Sequence, residues 1–291
     1  MAEERKIEES KKKTEEGRAL LMKQEYRHAR KAFDEAVRLD PENALAHSGR
    51  ANSLFGLEEL EKALKSMEKA VELAPDNTEI LDNYGAYLYN MGKQKEALGV
   101  AERLVDLNPT SADHWHKLGL VRDAMEEADK ALTAFDEALK LAPKELEIYK
   151  DKGELLERAG RLEEAADTFG LGSEAAGGHA FFLDCRGQIL GRMNRNDEAL
   201  VAFEAALVVD PEDEYAANGR AAALLRLGKL DEALATFEAL VEMNPGSAFS
   251  WDGKAFALRA LGRPEEADKA KAEAQRIWRE EEKNEPGTFS K

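Results

Sequence analysis

Cysteine is almost absent. Cys185 is the single one in 291 residues, which excludes an internal disulfide and fits a reducing compartment. Basic residues are also in deficit, with 42 Lys and Arg against 59 Asp and Glu for a formal net charge of −17. Phosphate backbones want a basic face, so the balance argues against nucleic acid. It suits a soluble chain that repels its own copies. Long apolar runs are missing, and nothing approaches the roughly 18 residues needed to cross a bilayer. The opening MAEERKIEESKKKTEE lacks the apolar core of an export signal. The expectation is a cytoplasmic protein with no membrane partner.

Catalytic and metal-binding constellations are missing too. His114 and His116 lie two apart, so on a helix they point roughly 200° from each other and cannot share an ion. His28, His47 and His179 have no Cys, His or carboxylate companion at ligand spacing. Residues 170–178, GLGSEAAGG, superficially resemble a phosphate loop but follow no strand and lack the Gly-Lys-Ser/Thr ending. The pairs Glu126-Glu127 and Glu163-Glu164 read as acids favoured at helix N-termini. No enzyme, metal or cofactor is expected.

What the chain has instead is a period. Ala29, Ala63, Ala97, Ala131, Ala165, Ala199, Ala233 and Ala267 recur every 34 residues without a miss. Pro41, Pro75, Pro109, Pro143, Pro211 and Pro245 share a second phase, broken only by Gly177. Such a period outranks the two-domain prior set by length, because a solenoid grows by stacking. In residues 112–143, Trp115, Leu118 and Gly119 mark one face of a first helix, and Ala131, Phe135 and Ala138 one face of a second. Proline ends a unit, and Asn77 or Ser111 then caps the next helix. Gly92, Gly160, Asn194, Gly228 and Gly262 suit the left-handed residue at the turn inside a unit.

Residues 1–9 read as a polar lead-in and 10–145 as four regular units. The first has Lys13 and Glu16 where the fourth has Trp115 and Leu118, the polar outer face expected of a cap. Residues 146–179 form a divergent fifth unit with Gly170, Gly172, Gly177 and Gly178 close together. Each glycine costs a helix interior about 1 kcal/mol relative to alanine. The second helix of this unit is therefore expected to shorten or fray, giving a hinge, unless packing against the sixth unit holds it. Residues 180–281 restore three units and a closing helix, and 282–291 are a polar tail.

Trp115, Leu118, Gly119, Gly160, Tyr26, Ala131, Phe135, Ala138 and Pro143 stand at the phases of a tetratricopeptide repeat. The chain resembles that family as eight tandem units from about residue 10 to 281. It departs from the pattern at Ala51, Ala221 and Ala255 (the helix-packing glycine), at Ala101 (the aromatic of the second helix) and in the fifth unit. The resemblance implies an all-α, right-handed superhelical solenoid of antiparallel helix pairs, whose first helices line a concave groove. Fold alone does not give function. The expected role is a non-catalytic adaptor or assembly scaffold that binds a protein or peptide in that groove, most simply as a monomer. A self-associating structural protein and a regulatory or targeting subunit of an enzyme complex stay open.

If first helices line the groove, one phase offers Phe181, Tyr215 and Phe249, with Phe256 two turns beyond Phe249. A second phase offers Arg158, Arg192 and Arg226, with Arg259 beside it. Together they suit a peptide bearing acids and apolar anchors. Two readings stay open here: the aromatics dock a ligand or pack on the preceding unit, and the arginines take ligand acids or pair with Glu157 or Asp184. Asp184, Glu154 and Asp252 offset the positive field. In the other half, Asn52, Asn83 and Lys117 match the carboxylate clamp by which some family members hold chaperone C-termini. Ser48 and Asp113 do not match it, and Asp113 would repel the carboxylate.

Overall fold

The computed structural model describes residues 1–284; the rest of the expected polar tail lies outside the described residues. Among the described residues there are sixteen α-helices and no strand. They fall into two compact units, Met1–Ala142 and Pro143–Lys291. The first unit holds α1 (Ala2–Met22), α2 (Tyr26–Leu39), α3 (Ala44–Gly56), α4 (Leu60–Leu73), α5 (Thr78–Asn90), α6 (Gln94–Leu107), α7 (Ala112–Ala124) and α8 (Ala128–Leu141). The second holds α9 (Leu146–Arg158), α10 (Leu162–Ala175), α11 (Ala180–Arg192), α12 (Asn196–Val209), α13 (Glu214–Arg226), α14 (Leu230–Met243), α15 (Ala248–Ala260) and α16 (Pro264–Asn284). Within each unit every helix packs on the next in sequence. The all-α array of helix pairs read from the sequence is the fold observed.

The punctuation explains the period. Each turn inside a helix pair passes through one left-handed residue, at Gly92, Gly160, Gly228 and Gly262 with φ of 71–74° and at Asn194 with φ 60°. Gln24, Glu58 and Glu126 fill the same phase at φ 58–62°, so with Asn194 four turns carry a side chain where glycine would be unstrained. Asn43, Asn77, Ser111, Asp213 and Ser247 cap first helices by accepting a backbone N–H bond. Four of the unit-ending proline carbonyls are claimed by rings. His47 Nε2, Trp115 Nε1, Tyr149 Oη and Trp251 Nε1 donate to the carbonyls of Pro41, Pro109, Pro143 and Pro245 at 2.9–3.1 Å. A polar-tipped ring at that phase satisfies an acceptor that no helix can reach.

In several repeats the core presses a ring against glycines. Phe33 is fully buried, and a Cβ built on Gly17 or on Gly49 would lie 2.7 or 2.2 Å from its ring. Phe203 sits the same way between Gly187 and Gly219. A methyl group at any of these glycines would force the helices apart.

In the fifth unit the packing alternative for the second helix is the one observed. Its second helix, α10, runs 14 residues, as long as α8 in the regular fourth unit. Gly170 and Gly172 are not isolated breakers. A Cβ on Gly172 would lie 2.8 Å from the Phe182 ring and 3.0 Å from Tyr149, so packing needs the glycine and holds the helix. Gly177 and Gly178, with φ of 72° and 97°, form the turn that follows.

Candidate functional site

Large aromatic side chains are expensive to leave in water, so those that stay exposed mark a candidate surface. Tyr215 is 80% exposed, Phe249 62% and Phe256 65%, with Phe181 at 40%. Phe181, Tyr215 and Phe249 are the second residues of α11, α13 and α15. The next residues, Phe182, Ala216 and Ser250, are buried, so the helical turn itself points the aromatics outward. Tyr215 and Phe249 line one depression of about 530 Å³ together with Gln188, Asn218 and Ala222. Phe181 is not among its lining residues; its ring meets Phe182 edge-on with centroids 5.3 Å apart. Phe256 and Arg259 line a smaller hollow of about 140 Å³ with Asp252 and Lys271.

The arginines are exposed but already engaged. Arg192 forms an ion pair with Glu157 of the preceding first helix. Arg226 Nη1 donates to the Gly191 carbonyl at 3.2 Å, and Arg259 pairs with Asp268. The row is thus in part a set of ties between successive first helices. Exposed pairs of this kind are worth about 0–1 kcal/mol, and a guanidinium keeps donors beyond those used.

Asp184 on α11 is half-buried and its carboxyl is pushed up to about 6, by burial first and by Asp213 to a lesser extent. Burial and then the charges of Asp184, Glu157 and Glu154 push the Cys185 thiol up to about 12. Such a thiol is a poor nucleophile at neutral pH.

In the first unit, Asn52 Oδ1 accepts from the Tyr87 hydroxyl at 2.6 Å, and Asn83 Nδ2 donates to the Glu79 carbonyl at 3.0 Å. Burial raises the Tyr87 phenol well above its ordinary pKa. Lys117 Nζ lies 2.8 Å from Asp82 and 2.6 Å from Asp113. His114 completes this cluster: its Nδ1 donates to the Leu104 carbonyl at 3.0 Å, and Nε2 faces Asp82 at 3.8 Å. Asp82, Asp113 and His114 bring ligand-capable atoms within 4.8 Å of one another, with the Lys117 ammonium already between the two carboxylates. Spacing along one helix misses this group, because Asp82 comes from the preceding repeat. Only the repeat register brings it beside α7.

Among the described residues no helix is long and apolar enough to cross a membrane. A family model described as tetratricopeptide repeat matches residues 14–78, 116–179 and 186–248. A comparison with curated proteins finds no significant match. Among solved structures, MamA residues 41-end from Desulfovibrio magneticus RS-1 is similar, with 23% identity, 58% of this chain and 95% of that one covered, and a TM-score of 0.54. YrrB, titled a TPR protein with an unusual peptide-binding site, has 26% identity, 64% and 95% coverage and a TM-score of 0.51. PilF from Pseudomonas aeruginosa has 21% identity, 72% and 96% coverage and a TM-score of 0.58.

Proposed function

The chain belongs to the tetratricopeptide-repeat family, and from that premise we propose that it is a non-catalytic adaptor or scaffold that binds a peptide segment of another protein. In this reading the ligand lies along the first helices of the second unit, in the concave groove typical of such arrays. An apolar anchor seats between Tyr215 and Phe249, and acidic groups meet Arg158, Arg192, Arg226 or Arg259. The observation that carries the reading is the pair of aromatics, 80% and 62% exposed, on the rim of one depression. Rings held open beside polar groups such as Asn218 are the anatomy of a binding hot spot. The likeness to YrrB supports a peptide ligand. Acidic ligand groups would displace weak exposed pairs such as Arg192–Glu157 at little cost. A cytoplasmic location belongs to the same reading, and fractionation of the source cells tests it.

The binding test is capture of partners from a lysate by the immobilised full chain and by a Tyr215→Ala/Phe249→Ala variant. Both side chains are exposed, so the variant should keep its helical circular dichroism and melt within about 2 °C of the parent. The reading expects captured partner to fall by roughly tenfold or more, the loss implied by two unburied anchors. Undiminished capture by a folded variant would overturn it.

A further inference from the structure

The third repeat lacks a contact that three other repeats share. In the first, sixth and seventh repeats a buried phenylalanine presses on a glycine of the next first helix: Phe33 on Gly49, Phe203 on Gly219, Phe237 on Gly253, each within 2.4 Å of the glycine's would-be Cβ. At the same phases the third repeat has Ala101 and Lys117. The ring is gone, and a side chain with a charged tip stands in place of the glycine. Gly85, the helix-packing glycine of this repeat, shows the consequence. Its would-be Cβ meets only Val100 at 3.3 Å, whereas that of Gly119 in the next repeat meets the Phe135 ring at 2.5 Å.

The missing ring leaves a hollow of about 180 Å³ walled by Gly85, Ala101, Leu104 and Val121, with Asp82 and Lys117 at its mouth. An apolar cavity of roughly 150 Å³ is enough to hold a benzene ring. The charged groups beside the mouth are Asp82 from α5 and Asp113 and Lys117 from α7; α6 contributes only Ala97, Ala101 and Leu104. Two carboxylates against one ammonium leave the entrance negative, which favours a cation beside the incoming ring.

We propose that this socket takes an aromatic side chain from a partner segment in which that residue adjoins a lysine or arginine. The ring replaces the phenylalanine that the third repeat lacks, and the cation meets Asp82 and Asp113. This goes beyond the reading of the second unit and does not depend on it: every residue of the socket lies in the first unit, so either site can fail while the other stands.

The test uses the full chain with labelled methyl groups and three probes, N-acetyl-Phe-Lys-amide, N-acetyl-Phe-Glu-amide and N-acetyl-Ala-Lys-amide. The Phe-Lys probe should shift the methyl signals of Ala101, Leu104 and Val121 saturably. The Ala-Lys probe should bind roughly tenfold or more weakly, the loss expected for an unburied ring. Phe-Glu should bind about threefold or more weakly, the scale of an exposed charge pair. Ala101→Phe fills the socket and should weaken Phe-Lys binding by roughly tenfold. Should that variant not fold, Asp82→Asn leaves the apolar walls in place and should reduce the preference for Phe-Lys over Phe-Glu to less than about twofold. The proposal is overturned by the absence of saturable shifts at these methyls. Equal binding of Phe-Lys and Phe-Glu, or unweakened binding to a folded Ala101→Phe protein, also overturns it.

Discussion

Replacing Gly219 by alanine should destabilise the protein, although alanine is the better helix former. Gly219 lies inside α13, and its new Cβ would sit 2.3 Å from Phe203 Cε1 and 2.4 Å from Cζ. The ring cannot retreat, being 3% exposed with the would-be Cβ of Gly187 2.8 Å away on the other side. Overpacking of this kind costs about 1–3 kcal/mol, and the helix-propensity gain returns about 1 kcal/mol. A net loss of up to about 2 kcal/mol corresponds to a melting point lower by up to roughly 8 °C. Gly99→Ala is the control, since that glycine is also helical but has nothing within 4 Å of its would-be Cβ. It should gain about 1 kcal/mol. Urea unfolding followed at 222 nm reads both variants. A Gly219→Ala/Phe203→Leu double variant should show a coupling of about 1 kcal/mol or more, because leucine leaves room for the methyl group. If both alanines stabilise equally, the ring-on-glycine account of the packing is wrong.

Two further outcomes follow from the turns and from the half-buried acid. Glu126→Gly should stabilise by about 0.5–1 kcal/mol, because relief of a left-handed side chain exceeds the entropy that glycine adds to the unfolded chain; an unchanged or lower urea midpoint contradicts this. The Asp184 carboxyl is raised to about 6 from its ordinary 3.8, so the folded state binds the extra proton between those values. Stability should therefore be greater below this window and fall as pH rises through it. Asp184→Asn should be more stable than the parent at pH 7 and equal to it near pH 4, and a constant difference across a urea-midpoint series would refute the assignment.

The register was legible because packing geometry writes itself into small residues. Ala131 and Gly119 are where two helices touch, and proline and glycine stand where the backbone must turn. Turns built without glycine were harder to read: Gln24, Glu58 and Glu126 hold the left-handed conformation through the fold around them, and their residue types give no hint of it. The glycines of α10 left two readings open for the opposite reason. A helix-propensity cost is a local quantity, whereas the Phe182 ring and the Tyr149 Cβ that need Gly172 come from other helices. At the candidate site, phase alone picked out the exposed Tyr215 and Phe249. It could not tell that Arg192 and Arg226 reach back to the preceding repeat, nor that Asp82 meets Lys117. Those contacts depend on side-chain length across a repeat boundary. The hollow at Ala101 was visible only as a departure from pattern, and its depth required the positions of Lys117 and Leu104.

Binding through the exposed aromatic rim is tested most directly by photo-crosslinking from within it. A benzoylphenylalanine placed at Phe249 in the full chain should capture a partner polypeptide in the source cells, giving a discrete heavier species. The same group at Val208, an 83% exposed position on the second helix α12, should give none. Adducts from Val208 but not from Phe249 would contradict the account.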